Sequence, residues 1–184
     1  PAQRGGNACR DVLFGTVNPS GRLPVTFYKA DEKLPDFEDY SMRNRTYRYF
    51  EGQPLYPFGH GLSSTTFAYG ALKLDKATLA ADGKMRAAVT VRNIGKRAGD
   101  EIVQLYLRPL DPKRPRARKE LRGVTRVSLK PGEARQVSFE VQPGRDLTVY
   151  DEAKQSYVVD AGRYELQVAT SSADVRAKAT FAVE

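Results

Sequence analysis

From residue 65 onward, apolar side chains recur at every second position in short runs separated by turn residues, and this period confines the fold more than any other feature. In "MRAAVTVRN" the residues Met85, Ala87, Val89 and Val91 fall on one side, with Arg86, Thr90 and Arg92 on the other. Successive side chains of a strand point to opposite faces, so this is a strand with one face buried. The alternation returns in "RQVSFEV" (Val137, Phe139, Val141), "RYELQV" (Tyr164, Leu166, Val168) and "ATFAV" (Ala179, Phe181, Val183), and "EIVQLYL" and "VTRVSL" add two more strands. Turn signals stand between them: "NIGKRAGD" at 93–100, "KPGE" at 130–133, "QPGRD" at 142–146 and "DAG" at 160–162. About seven short strands at this spacing predict an antiparallel β-sandwich over residues 65–184. Without the Cys-Trp-Cys core of immunoglobulin domains, a fibronectin-III-like sandwich is the expected variant.

Residues 1–64 follow no such rule. "GGNACRDVLFG" places Ala8, Val12 and Leu13 on one helical face between glycines, and the turn "NPSG" leads into a short apolar run, "RLPVTF". This predicts a helix, a turn and a strand over residues 1–27. One helix and one strand cannot bury enough surface to be stable alone, so the expectation is a remnant of an α/β domain that needs a partner surface. The chain starts at Pro1 without a Met, which suits a piece of a longer polypeptide. Its start lacks the layout of a secretory signal, and no run approaches the length of a membrane span.

Residues 28–64 form a long connection without helical or strand period. Nine of the eighteen aromatic residues lie between Phe37 and Tyr69, which argues against a solvated linker, because such linkers are poor in rings. The expectation is an extended strap laid over a body. Within it, Tyr56, Pro57, Phe58, Gly59 and Leu62 are expected to anchor the strap at the corner where it enters the sandwich. Arg45, Tyr47 and Tyr49, with Arg48, are candidates for the rim of a sugar site, since sugars stack on rings and accept hydrogen bonds from guanidinium groups.

Charge is unevenly placed. The formal net charge is +8, and much of the excess sits in "RPLDPKRPRARKELRGVTR", from Arg108 to Arg126. A polyanion-binding patch would need aromatics that stack bases; this run has prolines and none, so a solvated loop between two strands is expected and no nucleic-acid partner.

Three blocks resemble one known family. "GGNACRDVLFGTVNPSGRLPVTF" is similar to the end of the α/β-sandwich domain of glycoside hydrolase family 3, "RTYRYFEGQPLYPFGHGLSSTTF" to the passage that follows it, and "KELRGVTRVSLKPGEARQVSFEV" to its fibronectin-III-like domain. The chain departs at His60 and Ser64, where the family commonly has Tyr. The resemblance implies the C-terminal part of a retaining, exo-acting β-glycosidase, β-glucosidase first and β-xylosidase second, periplasmic or secreted. It also implies that the chain's partners are the barrel and α/β domains of the parent and, through them, a β-linked oligosaccharide, and it allows a homodimer. The family's nucleophile and acid/base belong to segments absent here, so no catalytic residue is carried over.

The residues agree with that. Asp31, Glu32, Asp36, Glu38 and Asp39 crowd one loop, flanked by Phe37 and Tyr40, but a general acid and a nucleophile must be held by rigid neighbours, and this stretch offers none. His60 is the only histidine and Cys9 the only cysteine. Neither a metal site nor a disulfide is expected from them, no serine triad can form, and no cofactor is implied. The alternative from another class is a self-standing sandwich module that binds a polysaccharide or a protein.

Overall fold

The computed structural model describes residues 3–30 and 35–184. The helix predicted near the start is present as α1 (Gly5–Leu13), and a single helical turn, α2 (Thr46–Tyr49), interrupts the strap. Residues 67–184 form the sandwich. Three short strands, β1 (Phe67–Tyr69), β2 (Lys73–Leu74) and β3 (Thr78–Leu79), precede the long strands β4 (Met85–Asn93), β5 (Gly99–Pro109), β6 (Glu120–Leu129) and β7 (Ala134–Val141). A one-turn helix, α3 (Pro143–Asp146), then leads to the hairpin β8 (Thr148–Asp151) and β9 (Ser156–Val159), and the chain ends in β10 (Gly162–Ala169) and β11 (Val175–Val183).

One sheet is built on β4, which pairs antiparallel with β7 along one edge and with β1 and β2 along the other. The second has the order β3-β11-β10-β5-β6, antiparallel throughout except for the β3–β11 pair. The alternating faces meet in one core: Met85, Ala87, Val89 and Val91 from β4 and Val137, Phe139 and Val141 from β7 oppose Val103, Leu105 and Leu107, Leu166 and Val168, and Phe181 and Val183. Tyr164 stacks on Phe181 with ring centroids 5.7 Å apart, and burial of this surface is the main stabilising contribution.

β5 and β10 depart from the alternation that predicted them. From Val103 to Leu107 every residue of β5 is buried, Gln104 and Tyr106 included, and Glu165 and Gln167 of β10 are buried as well. The outer face of the five-stranded sheet is covered here, and the cover is the strap.

The strand expected over "RLPVTF" does not form. Residues 21–27 instead run antiparallel to residues 56–61 through two separate pairs of backbone bonds. Phe27 and Tyr56 exchange N–H···O=C bonds of 2.9 and 3.2 Å, while the Leu23 N–H donates to the His60 carbonyl and the Gly59 N–H to the Leu23 carbonyl, both at 2.8 Å. Pro24 and Pro57 lie between those pairs and lack the donors that would join them into a ladder. At Gly61 a Cβ would stand 2.2 Å from the Gly21 carbonyl oxygen, so the two segments approach as closely as backbone permits.

Candidate functional site

The strap meets the sandwich at Gly59. Its backbone is left-handed (φ 79°), and a Cβ there would lie 2.1 Å from the Gln104 Oε1 atom. The vacant side-chain position lets Gln104 reach past the glycine: its Nε2 donates to the carbonyls of Gly59 (3.1 Å) and Thr170 (2.6 Å), and its Oε1 accepts from the Tyr106 hydroxyl (2.6 Å). Burial pushes the Tyr106 phenol well above its ordinary pKa. Phe58 lies flat on Tyr47 at 4.3 Å, Tyr47 meets Tyr106 edge-on at 5.7 Å, and the Phe58 carbonyl accepts from the Ser172 N–H at 2.8 Å.

Further along the strap, α2 is held from both sides. The Tyr47 hydroxyl accepts from the Leu121 N–H at 2.9 Å, the Arg48 carbonyl accepts from the Arg118 N–H at 2.8 Å, and Arg48 pairs with Glu120. Tyr28 packs edge-on to Phe50 at 4.9 Å and its hydroxyl accepts from the Thr46 N–H. Thr46 has φ +54°, a strained setting for a β-branched residue, and these contacts fix it.

The rim candidates therefore part company. Tyr47 faces the sandwich. Arg45 turns back along the strap, its guanidinium donating to the carbonyls of Asp36 and Asp39 at 3.0 and 2.7 Å. Tyr49 is half-buried under the Arg48 guanidinium, 5.6 Å from its ring centre. Their placement in an alternating, extended segment is corrected by the helical turn, which sends neighbouring side chains in different directions. The anchor candidates divide too. Pro57, Phe58 and Gly59 lie against the sheet or near it, whereas Tyr56 and Leu62 are exposed. Tyr56 stacks on His60 at 5.4 Å and meets Phe27 edge-on at 6.3 Å.

Residues 15–22 are tied to the end of the sandwich by polar groups that the sequence did not single out. Asn18 donates to the Ala98 carbonyl and accepts from Ser63 Oγ and the Ser64 N–H. Arg97 donates to the Gly15 carbonyl at 3.1 Å. Arg22 donates to Glu101 Oε1 at 3.2 Å in a pair whose side chains are only 10% and 4% exposed. Burial raises the Glu101 pKa, opposed by the Arg22 charge and by the hydrogen bond from Arg22.

Residues 110–119 of the basic run are the expected loop between two strands, with residues 111–113, 115 and 118 exposed, and residues 120–126 belong to β6. Several of its cations are nonetheless docked: Arg114 bridges Asp151 (3.2 Å) and Asp160 (3.1 Å) beside the β8–β9 hairpin, and Arg116 donates to the Leu147 carbonyl at 3.3 Å. Arg118 donates to the Phe50 carbonyl at 2.8 Å, and Lys119 to that of Ser172. The prolines keep the segment extended while its cations reach partners on either side.

Of the crowded carboxylates, Asp31 and Glu32 lie outside the described residues. Asp36 and Glu38 are exposed, and Asp39 accepts from the Ser41 N–H at 2.8 Å, hydrogen bonding to Ser41 holding its pKa low. Phe37 and Tyr40 beside them are 96% and 92% exposed. Among the described residues no group of three or more His, Cys, Asp and Glu side chains is arranged to hold a metal ion, and Cys9 is exposed. No described helix is long and apolar enough to cross a membrane.

Residues 3–64 leave large apolar side chains outward, beside exposed polar ones. α1 buries none of its residues, Leu13 and Phe14 are each 82% exposed, and Val17, Val25, Phe27, Leu55, Tyr56 and Leu62 are exposed beyond them.

Residues 1–64 match the model of the glycosyl hydrolase family 3 C-terminal domain, and residues 101–172 that of the fibronectin type III-like domain. Over 176 residues the chain is 45% identical to a xylan 1,4-beta-xylosidase of Xylanibacter ruminicola, spanning 95% of this chain and 20% of that protein. It is 36% identical over 184 residues to a periplasmic beta-glucosidase of Salmonella typhimurium, spanning 94% and 24%. Among solved structures, a beta-glucosidase from Streptomyces venezuelae in complex with D-glucose superposes with a TM-score of 0.85 at 38% identity, over 98% of this chain and 25% of that one. The chain thus spans a quarter or less of the length of these three relatives.

Proposed function

The chain belongs to glycoside hydrolase family 3 as a C-terminal portion of it, and from that premise we propose that it serves a retaining, exo-acting β-glycosidase as a non-catalytic brace. In this reading residues 1–27 complete an α/β domain, residues 28–64 are the strap, and residues 65–184 are the sandwich on which both are mounted. The observation that carries the proposal is the two-sidedness of residues 3–64. Their polar groups and inner rings are spent on the sandwich at Gln104, Glu101 and Glu120, while Leu13, Phe14, Phe27 and Leu62 face outward. An apolar surface of that extent on a segment with no core of its own is built to be covered, and the rest of the parent polypeptide is the partner we assign to it.

Retaining hydrolysis needs two carboxyl groups about 5 Å apart, one attacking the anomeric carbon and one protonating the leaving oxygen. We assign neither to this chain: the described carboxylates are tied to arginines and backbone N–H groups or lie on exposed loops. Hydrolysis of terminal β-glucosides is our reading of the parent activity, supported by the β-glucosidase relatives and solved structures. Hydrolysis of β-xylosides is the second reading, favoured by the 45% identity to the xylosidase. A periplasmic or secreted address is supported by the Salmonella relative. The docking of Arg114, Arg116, Arg118 and Lys119 supports reading the basic run as a tie between elements and not as a polyanion patch.

The test is an assay of aryl β-glucoside and aryl β-xyloside hydrolysis by the purified 184-residue chain beside the longest parent polypeptide. Turnover confined to the parent is the expected result, and the better substrate decides between the two readings. Turnover by the short chain alone, with contaminating enzyme excluded, would overturn the assignment of a brace.

A further inference from the structure

A groove of about 540 Å³ is lined by the paired segments 21–27 and 56–62. The Phe27–Tyr56 and Leu23–His60 backbone bonds hold the two segments together, so the groove has its shape before anything enters it. Leu23, Phe27, Tyr56 and Leu62 make its lining largely apolar. Set among them is His60, half-buried, with its imidazole stacked on the Tyr56 ring at 5.4 Å. The other charged group in the wall is the Arg22 guanidinium, and no described carboxylate lines the groove: Glu101, which pairs with Arg22, stands outside it. His60 is the only histidine of the chain, and imidazole is the side chain whose charge changes close to neutral pH.

Two facts indicate what covers this groove. The chain spans a quarter or less of the length of the three relatives described above, and Phe27 and Leu62 belong both to the groove and to the exposed apolar surface assigned to the rest of the parent polypeptide. Resting on that reading, we propose that the part of the parent outside these 184 residues seats an apolar side chain in the groove, and that this contact is made with His60 neutral and loosened when His60 takes up a proton. Closing the groove takes the imidazole out of water, which disfavours its charged form. It also leaves the ring near the Arg22 guanidinium, with no described carboxylate in the wall to offset a second positive charge. Docking therefore expels a proton from His60, and by linkage the contact is complete above the histidine range and weakens as pH falls through it. The brace is thereby fastened to its parent by a pH-sensitive joint.

The experiment measures deuterium uptake in peptides spanning residues 21–27 and 56–62, in the parent polypeptide and in the 184-residue chain, between about pH 7.5 and about pH 5.5. Each rate is taken as the ratio of the unsubstituted protein to His60→Phe, so that the intrinsic pH dependence of exchange cancels. In the parent this ratio should rise by about tenfold toward the acid end, because the phenyl ring stacks as the imidazole does and never carries the charge. In the short chain, whose groove stays open, it should be flat. Should the phenyl ring disturb the seat, His60→Gln, also uncharged, replaces it as the reference, and the same rise is expected. A flat or falling ratio in the parent, or an equal rise in the short chain, would overturn the proposal. Failure of the brace reading has a different signature: the two peptides would exchange alike in parent and short chain at the neutral end, and both inferences would fall together.

Discussion

The sandwich and the 64 residues before it are built on opposite plans. In the sandwich, apolar faces turn inward and meet each other: Val89 and Phe139 from one sheet oppose Leu105 and Leu166 from the other. In residues 3–64 a few polar groups and rings, Asn18, Arg22, Tyr47 and Arg48 among them, turn inward onto the sandwich, while large apolar side chains turn outward. The first plan makes a unit whose stability is its own. The second makes a fitting held on the sandwich by hydrogen bonds, with an outer face that carries exposed apolar side chains. The lesson is that aromatic content alone does not mark a core: Tyr47, Phe50 and Phe58 hold the strap down, whereas Phe27, Phe37 and Tyr40 are offered to solvent.

The comparison can be broken first at the core. Phe181→Ala removes a ring packed on Tyr164 between the sheets and should destabilise the sandwich by about 3–5 kcal/mol, read as a lower urea midpoint with the slope unchanged. A loss under about 1 kcal/mol would mean that the sandwich does not carry the fold.

Next is the clamp between the two plans. Arg22→Met leaves Glu101 without its cation in a nearly closed site and should cost about 1–3 kcal/mol at neutral pH. The sign with pH follows from the direction of the shift. The Glu101 pKa is already raised in the folded chain and rises further without Arg22, so through the window above the ordinary glutamate range the folded state keeps a proton that the unfolded state has released. Stability therefore falls as pH rises through that window, more steeply in Arg22→Met than in the parent chain. The double variant Arg22→Met/Glu101→Gln should lose this slope. A slope unchanged by Arg22→Met would show that the pair does not govern it.

Smaller and local is the strap's seat. Gly59→Ala places a methyl group where Gln104 stands and forces an L-residue into left-handed backbone, a penalty of about 1–2 kcal/mol before any clash. The strap should lift while the sandwich holds, seen as faster proteolysis at residues 48–60 with an unchanged main unfolding transition. Joint loss of both would make strap and sandwich one cooperative unit.

Smallest of all, Leu13→Ser and Phe14→Ser should each alter the stability of this chain by no more than about 0.5 kcal/mol, since both side chains already face water. The same changes in the parent polypeptide should cost more, if that surface is covered there.

How much of this was legible follows the same divide. Strands β4, β7, β10 and β11 could be read from Met85–Val91, Val137–Val141, Tyr164–Val168 and Ala179–Val183, because a one-sided strand writes its burial into a period of two. The burial of Gln104, Tyr106 and Gln167 could not. They occupy the polar phase of that period, and their cover arrives from the strap, far away in sequence. The docking of the basic run was hidden for the same reason: Arg114 reaches Asp151 and Asp160, and no local pattern announces such partners. The strand expected at "RLPVTF" had apolar residues enough, but Pro24 and its counterpart Pro57 removed the donors of a ladder. The turn at Thr46–Tyr49 was invisible because its stabilisation comes from Leu121, Arg118 and Tyr28, not from its own four residues.

The most direct test of the contrast is residue-resolved amide hydrogen exchange on the 184-residue chain. The account predicts the strongest protection, near the global unfolding free energy, for Val89, Leu105, Val137 and Leu166. Intermediate protection should appear at Leu23, Phe27 and Gly59, where the strap and tail bond to one another, and at Phe50, whose N–H closes the α2 turn on Thr46, and almost none in α1, which buries no residue. Protection in α1 equal to that of the sandwich strands would contradict it, because the first 64 residues would then have a stability of their own.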